Sequence, residues 1–170
     1  MSNSFAQKKI AITGGSGYIG SAIIEQLKGN AKEIICISRN KMISRAGVTD
    51  LNLNLNNFES WINILSEVDI VIHLSGNTSL YEAQRNPKES YISSIVPITH
   101  LIEASKNLSS IPRVIFASTA TVYGLKEAQP VSEFASVNPV TIYDEHKLLV
   151  EKCLATATKN NIISATSLRL

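Results

Sequence analysis

Only two of the 170 residues are cysteine, and they stand far apart, Cys36 in an apolar run and Cys153 in a segment of helical period. Neither has a CxxC partner or a neighbouring histidine, so a redox pair or thiolate metal site is not expected, and two buried thiols point to a reducing compartment, the cytoplasm. Charge of one sign is lacking as well. Scattered along the chain, 16 basic and 14 acidic side chains leave a formal +2, without the basic stripe that neutralises a nucleic-acid backbone. No apolar run reaches the roughly 18 residues of a membrane span, and the opening MSNSFAQKK has no apolar core of a signal peptide. Neither nucleic acid nor membrane is an expected partner. What is present, 44% hydrophobic and 18% charged residues, suits one globular domain that builds its own core.

Short apolar runs alternate with longer stretches of helical period, the pattern of a parallel sheet with crossover helices. Strands are expected at residues 9–13, 33–38, 47–51, 69–75, 113–118 and 163–170, and their β-branched, nearly all-apolar character fits strands covered on both faces. The first helix carries Ile19, Ile23 and Leu27 at i, i+4, i+8 and stops near Gly29-Asn30. Further helices are expected over 58–65, 89–107 and 143–159. No repeat or low-complexity linker interrupts the chain, and the Asn-rich stretch 52–57 reads as a strand-exit loop. The sequence stops inside its last expected strand, which reads as a truncation: residues 1–170 as one nucleotide-binding domain, with a C-terminal substrate-binding region absent.

Directly after the first strand stands Thr13-Gly14-Gly15-Ser16-Gly17-Tyr18-Ile19-Gly20. A pyrophosphate needs a tight turn, a backbone it can approach without a Cβ in the way, and a helix N-terminus with free N–H groups. Glycines 14, 17 and 20 can supply these. Between a β-branched strand and an amphipathic helix, such a turn is strong evidence for a dinucleotide site on a Rossmann-type, doubly wound α/β sheet.

The spacing is GxxGxxG, and TGGSGYIGS resembles the cofactor turn of the extended short-chain dehydrogenase/reductase family, the NAD-dependent epimerase/dehydratases that act mostly on nucleotide sugars. VTDLN, IHLSG, FASTATVYG, YDEHK and SLRL are similar, in order, to further motifs of that family. The resemblance implies that Gly14, Ser16, Gly17, Tyr18, Ile19 and Gly20 hold the cofactor. It also implies that Asp50 contacts the adenine amino group with Leu51 beside the ring, and that Leu74, Ser75, Gly76 and Ser118 line the cofactor. His73 is expected to be structural. Where the family has Asn in an NVxGT pattern this chain has Ile95-Val96-Pro97-Ile98-Thr99, so a proton-relay Asn is missing. The helices at 89–107 and 143–159 correspond to those that pair in family homodimers, and a homodimer is expected.

Tyr143 and Lys147, four residues apart on a helix, share one face. A phenol with an ordinary pKa of about 10 is a poor base at neutral pH, and a neighbouring ammonium is expected to lower it. That makes Tyr143 the expected general acid or base, with Lys147 beside it. The hydroxyl partner should leave the C-terminal end of the fifth strand. Ser118 and Thr119 both qualify; the resemblance favours Thr119 on the substrate oxygen, with Ser118 and Thr121 in support. Family dehydratases carry an Asp-Glu pair just after this hydroxyl, and Ala120-Thr121 stand there instead. Dehydration is disfavoured, which leaves hydride chemistry.

The second strand ends Cys36-Ile37-Ser38-Arg39-Asn40-Lys41 without the acid that holds the ribose of NAD. Arg39 offers a forked phosphate partner, Ser38 a small hydrogen-bonding neighbour and Lys41 added charge. The alternative is an ordinary basic loop. The reading is therefore a nucleotide-sugar reductase using NADP to reduce a 4-keto-sugar, with a 4-epimerase retaining NAD, or a non-catalytic NADP-binding sensor, as alternatives.

Overall fold

The short apolar runs form the six parallel strands of one sheet. The computed structural model describes residues 5–39, 45–125 and 130–170. The strands are β1 (Lys9–Thr13), β2 (Glu33–Ser38), β3 (Thr49–Asn52), β4 (Ile70–His73), β5 (Arg113–Ser118) and β6 (Ser164–Arg169), in the order β3-β2-β1-β4-β5-β6. The chain begins at the centre, builds outward through β2 and β3, then crosses back to add β4, β5 and β6. Neighbouring β1 and β4 thus lead away in opposite directions, the switch point at which such sheets bind ligands.

Helices cover both faces. On one, Trp61, Ile64 and Leu65 of α2 (Phe58–Leu65), Ile98 and Leu101 of α5 (Val96–Ser105) and Val150 and Leu154 of α6 (Ile142–Lys159) pack on Ala11, Val71, Val114 and Phe116 of the sheet. On the other, Ile24 of α1 (Tyr18–Leu27) packs on Ile10, Ile12, Ile34 and Ile70. This second face also carries an apolar hollow of about 390 Å³ lined by Ile19, Ile23, Leu27, Ile70, Ile72 and Ile115. The fold class is therefore the doubly wound Rossmann type that the alternation of periods indicates.

Three local differences have physical causes. The helix expected over 89–107 is two, α4 (Pro87–Ser94) and α5, broken at Ile95. Pro97 sits in the first turn of α5, where its missing N–H is harmless, whereas inside a continuous helix its ring would clash with the preceding turn. A short α3 (Leu80–Arg85) was not expected, although Ser79 caps it by accepting from Glu82 N–H at 3.1 Å, an S-x-x-E signal readable in the sequence. Strand β4 ends at His73, not Ser75, because the N–H groups of Leu74 and Ser75 turn onto Thr13 Oγ1, each at 3.2 Å.

The same hydroxyl meets His73, whose Nδ1 lies 2.9 Å from Thr13 Oγ1. His73 is fully buried between Trp61 and Phe116, and Nε2 has no hydrogen-bond partner among the described residues. Burial, and secondly the charge of Lys147, push its pKa down to about 3. Between the ordinary 6.5 and about 3 the unfolded chain holds the extra proton, so this contribution is complete above pH 6.5 and is lost as pH falls through that window. His73→Gln, which keeps an acceptor for Thr13, should escape on the order of 4 kcal/mol of that loss. Acid titration followed by circular dichroism should show its unfolding midpoint moved to lower pH relative to its stability at pH 7; an unmoved midpoint would place the histidine outside the buried core.

Candidate active site

A cleft of about 550 Å³ opens at the C-terminal ends of β1, β2 and β4. Its floor is the turn after β1. Gly14 has φ +69° and lies so near β4 that a Cβ would come within 3.0 Å of Ser75 N. At Gly20 a Cβ would stand 2.4 Å from Gly14 O, so the first turn of α1 is pressed onto the loop as only glycine permits. Gly17 is the N-cap of α1, and no side chain caps that terminus, whose free N–H groups and positive dipole end favour an anion. A dinucleotide pyrophosphate fits a cradle of this shape and sign.

Of the residues expected to hold a cofactor, the cleft is lined by Gly14, Ser16, Gly17, Ser38, Arg39, Leu74, Ser75 and Gly76. Gly20 lies behind the turn as a spacer. Tyr18 and Ile19 are not on the cleft wall: Tyr18 is 94% exposed, and Ile19 faces the apolar hollow on the α1 side. Lys41 lies outside the described residues.

Asp50 and Leu51, expected beside the adenine, stand on β3. Strand β3 pairs with β2 through Cys36 and Asp50, and through Ser38 and Asn52. One oxygen of the Asp50 carboxylate bonds Arg45 at 2.8 Å, and the other is buried without a hydrogen-bond partner among the described residues. Just past β3, Leu53 donates its N–H to Ser38 O and lines the cleft with Asn54, Leu55 and Asn56.

A second cluster lies at the ends of β5 and α6. The capping box at the start of α6, in which Thr141 and Asp144 bond each other's backbone N–H, fixes the first turn carrying Tyr143. Thr119 Oγ1 lies 2.9 Å from Thr121 Oγ1, and Thr121 donates onward to the buried Asp144 carboxylate. The residue expected on the substrate oxygen is thus tied to the helix turn of the tyrosine. Ser118 instead donates to Glu151, which also takes the Arg169 guanidinium at 2.6 Å. Burial opposes the Glu151 charge, but Arg169 and Ser118 outweigh it and hold the carboxyl below its ordinary pKa.

Lys147 donates to Ala117 O at 2.7 Å and sits over the Phe116 and Tyr143 rings, 4.7 and 5.7 Å from their centroids. Burial, and secondly Asp144, push the Tyr143 phenol above its ordinary pKa. This reverses the expectation of a lowered value. The ammonium donates to Ala117 O of β5, and desolvation of the half-buried phenol prevails.

Asp144 and Glu151 went unnoticed in the sequence, although Thr141-x-x-Asp144 is a capping-box signal and Tyr143, Lys147 and Glu151 repeat at i, i+4, i+8. Ile95, in the stretch expected to match the family's NVxGT pattern, is buried and apolar. Among the described residues no group of His, Cys, Asp and Glu could hold a metal ion, and no helix is long and apolar enough to cross a membrane.

Residues 10–170 match the family model described as the NAD dependent epimerase/dehydratase family. The UDP-glucose 4-epimerase of Lactobacillus helveticus is 26% identical over 167 residues, 95% of this chain and 50% of that protein. That of Yersinia enterocolitica is 31% identical over 159 residues, 85% and 47%. Among solved structures, the UDP-Glc/GlcNAc 4-epimerase from Campylobacter jejuni superposes with a TM-score of 0.84 at 28% identity, covering 95% of this chain and 52% of that one. The UDP-glucose 4-epimerase from Brucella ovis in complex with NAD gives 0.85 at 20% identity, 95% and 51%, a likeness of fold alone. The chain spans about half the length of the curated relatives it matches.

The cluster makes stability depend on alkaline pH. Lys147 is 7% exposed, and burial pulls its pKa from 10.5 to about 8. Between those values the unfolded chain holds more protons, so stability rises with pH there and the contribution is lost as pH falls through about 8. Urea unfolding of the chain and of Lys147→Met should show the difference, unmodified minus variant, growing by about 2 to 3 kcal/mol from pH 7 to pH 10. A flat difference would mean that the ammonium is solvated in the folded chain.

Proposed function

The chain belongs to the NAD-dependent epimerase/dehydratase family, and from that premise we propose that it is the cofactor-binding and proton-transfer part of a nucleotide-sugar 4-epimerase that retains NAD. One observation carries the reading: Thr119, Tyr143 and Lys147 gather at the ends of β5 and α6, with Ala120-Thr121 where a dehydratase would need its acid and base. The relatives that bear 4-epimerase names support it.

The nicotinamide, when bound, supplies a hydride acceptor and donor at C4 of the sugar. Gly14, Ser16 and Gly17 hold the pyrophosphate, with Ser38 and Arg39 at the adenosine ribose. Tyr143 Oη takes the proton of the sugar hydroxyl as it is oxidised and returns it after the ketone has turned its other face. Thr119 bonds the same oxygen, its position held through Thr121 and Asp144. Lys147 favours the phenolate and keeps the end of β5 against α6. The raised phenol pKa means that the proton must be removed against burial, so turnover should increase with pH across the Tyr143 ionisation. The enzyme works on its nucleotide sugar as a cytoplasmic homodimer, packed through α4, α5 and α6, where Tyr91 and Leu149 are exposed.

A second reading, an NADP-dependent 4-keto-sugar reductase, is favoured by Ser38 and Arg39. Arg39 is the one cationic side chain lining the cleft among the described residues, and no acid ends β2. A non-catalytic sensor would have no use for the retained tyrosine and lysine.

Tyr143→Phe in the full-length enzyme should lower interconversion of UDP-glucose and UDP-galactose by about 10²-fold or more while NAD binding stays within about twofold, since only the ionisable oxygen is lost. Near-normal turnover would remove Tyr143 from the chemistry. The two cofactor readings separate on Arg39→Ala. Where NADP is the cofactor, the variant loses about tenfold or more in NADP affinity and little in NAD affinity, as loss of a charge-assisted bond requires. Equal affinities in the unmodified chain, unchanged by the substitution, favour the NAD-retaining epimerase.

A further inference from the structure

The Thr119 hydroxyl is one end of a chain of hydrogen bonds whose other end is a carboxylate. Asp144, in the first turn of α6, is 2% exposed. Its Oδ2 accepts the N–H of Thr141 at 3.0 Å and the Thr141 hydroxyl at 2.8 Å, and its Oδ1 accepts the Thr121 hydroxyl. Thr121 Oγ1 in turn lies 2.9 Å from Thr119 Oγ1. The Thr119 oxygen also takes the backbone N–H of Thr121 at 3.3 Å.

Counting protons gives this chain one direction. A carboxylate only accepts, whereas a hydroxyl has one proton to give and two lone pairs. Thr121 gives its proton to Asp144, so in the bond between the two threonines Thr119 is the donor. The Thr119 proton therefore points inward, and one of its lone pairs is taken by Thr121 N–H. What Thr119 has left is the second lone pair. A group of that polarity takes a hydrogen bond from a sugar hydroxyl and has nothing to offer a carbonyl oxygen.

We propose that Asp144 is a positioning residue that sets Thr119 as an acceptor, so that the resting site selects a sugar with a free hydroxyl at the reacting carbon over one with a ketone there. The inference rests on the reading that this cluster binds a nucleotide sugar, and it names the alcohol as the form taken up. Asp144→Asn reverses the chain. Thr141 N–H can be met only by an oxygen, so the amide oxygen keeps the capping box and the NH2 falls toward Thr121. That group donates, Thr121 then donates to Thr119, and the Thr119 proton is freed to point outward.

The test uses the full-length enzyme carrying Tyr143→Phe, which offers the sugar oxygen no phenol as a second partner, with and without Asp144→Asn. The measurement is equilibrium binding of UDP-glucose and of its 4-deoxy-4-fluoro analogue, whose fluorine cannot donate. With Asp144 in place, UDP-glucose should bind tighter by more than about fivefold, because the analogue leaves the Thr119 lone pair unpaired. In Asp144→Asn the ratio should fall below that value, whereas a merely structural role would weaken both sugars alike. A smaller preference with Asp144 in place, or one that Asp144→Asn leaves unchanged, overturns the proposal while the nucleotide-sugar reading stands. Failure of both sugars to bind overturns the two together.

Discussion

The ligand edge of the sheet is held where Thr13 Oγ1 accepts two backbone N–H groups at the end of β4. Thr13 Oγ1 captures Leu74 and Ser75 at 3.2 Å and shares a hydrogen bond with His73 Nδ1. Past His73 the Leu74 N–H is shared between Thr13 O and Thr13 Oγ1, and the chain leaves β4 along the ligand edge through Gly76. The same three bonds hold β1 against β4 at the switch point, which keeps Gly14 within reach of Ser75. A hydroxyl is the smallest side chain that can accept twice and donate once. His73 is buried against that hydroxyl, and its neutrality is what permits the burial.

The catalytic cluster rests on a second arrangement, this one of charge. Lys147 and Glu151, one helical turn apart on α6, both reach the end of β5, Lys147 to a backbone carbonyl and Glu151 to the Ser118 hydroxyl. Glu151 also binds Arg169 of β6, whose guanidinium lies 4.6 Å from the Tyr123 ring centroid. The helix bearing Tyr143 is thereby fastened to two strand ends by bonds from charged groups, the stronger kind. Close placement of an ammonium beside a phenol is often read as lowering the phenol pKa. Here burial dominates both partners, depressing the lysine and raising the tyrosine, so the phenolate awaits further positive charge in the site.

Much of the fold was legible because a parallel sheet marks its strands with apolar, β-branched runs. Strands β1, β2 and β5 and helix α2 have the boundaries those runs indicate. The break at Ile95 was written in Pro97, but helical period alone runs through a proline without registering it. Helix α3 is too short to show a period, and only its Ser79 cap gives it away. Asp50 illustrates a different limit. A motif match gives the residue type, whereas its partnership with Arg45 appears only once the chain is folded.

The sequence by itself determined the order of strands and helices, the glycine turn that follows β1 and the Tyr-Lys pair on one helix face, because each is a local pattern of spacing and stereochemistry. Tertiary structure alone decided which polar groups keep water and which lose it. It turned Ser118 toward Glu151 and tied Thr119 through Thr121 to Asp144, paired Asp50 with Arg45, and raised the Tyr143 pKa where a neighbouring lysine suggested the reverse. The physical reason is that desolvation and hydrogen-bond partnership depend on residues as far apart as Thr13 and His73 or Ser118 and Arg169, which meet only when the sheet is assembled.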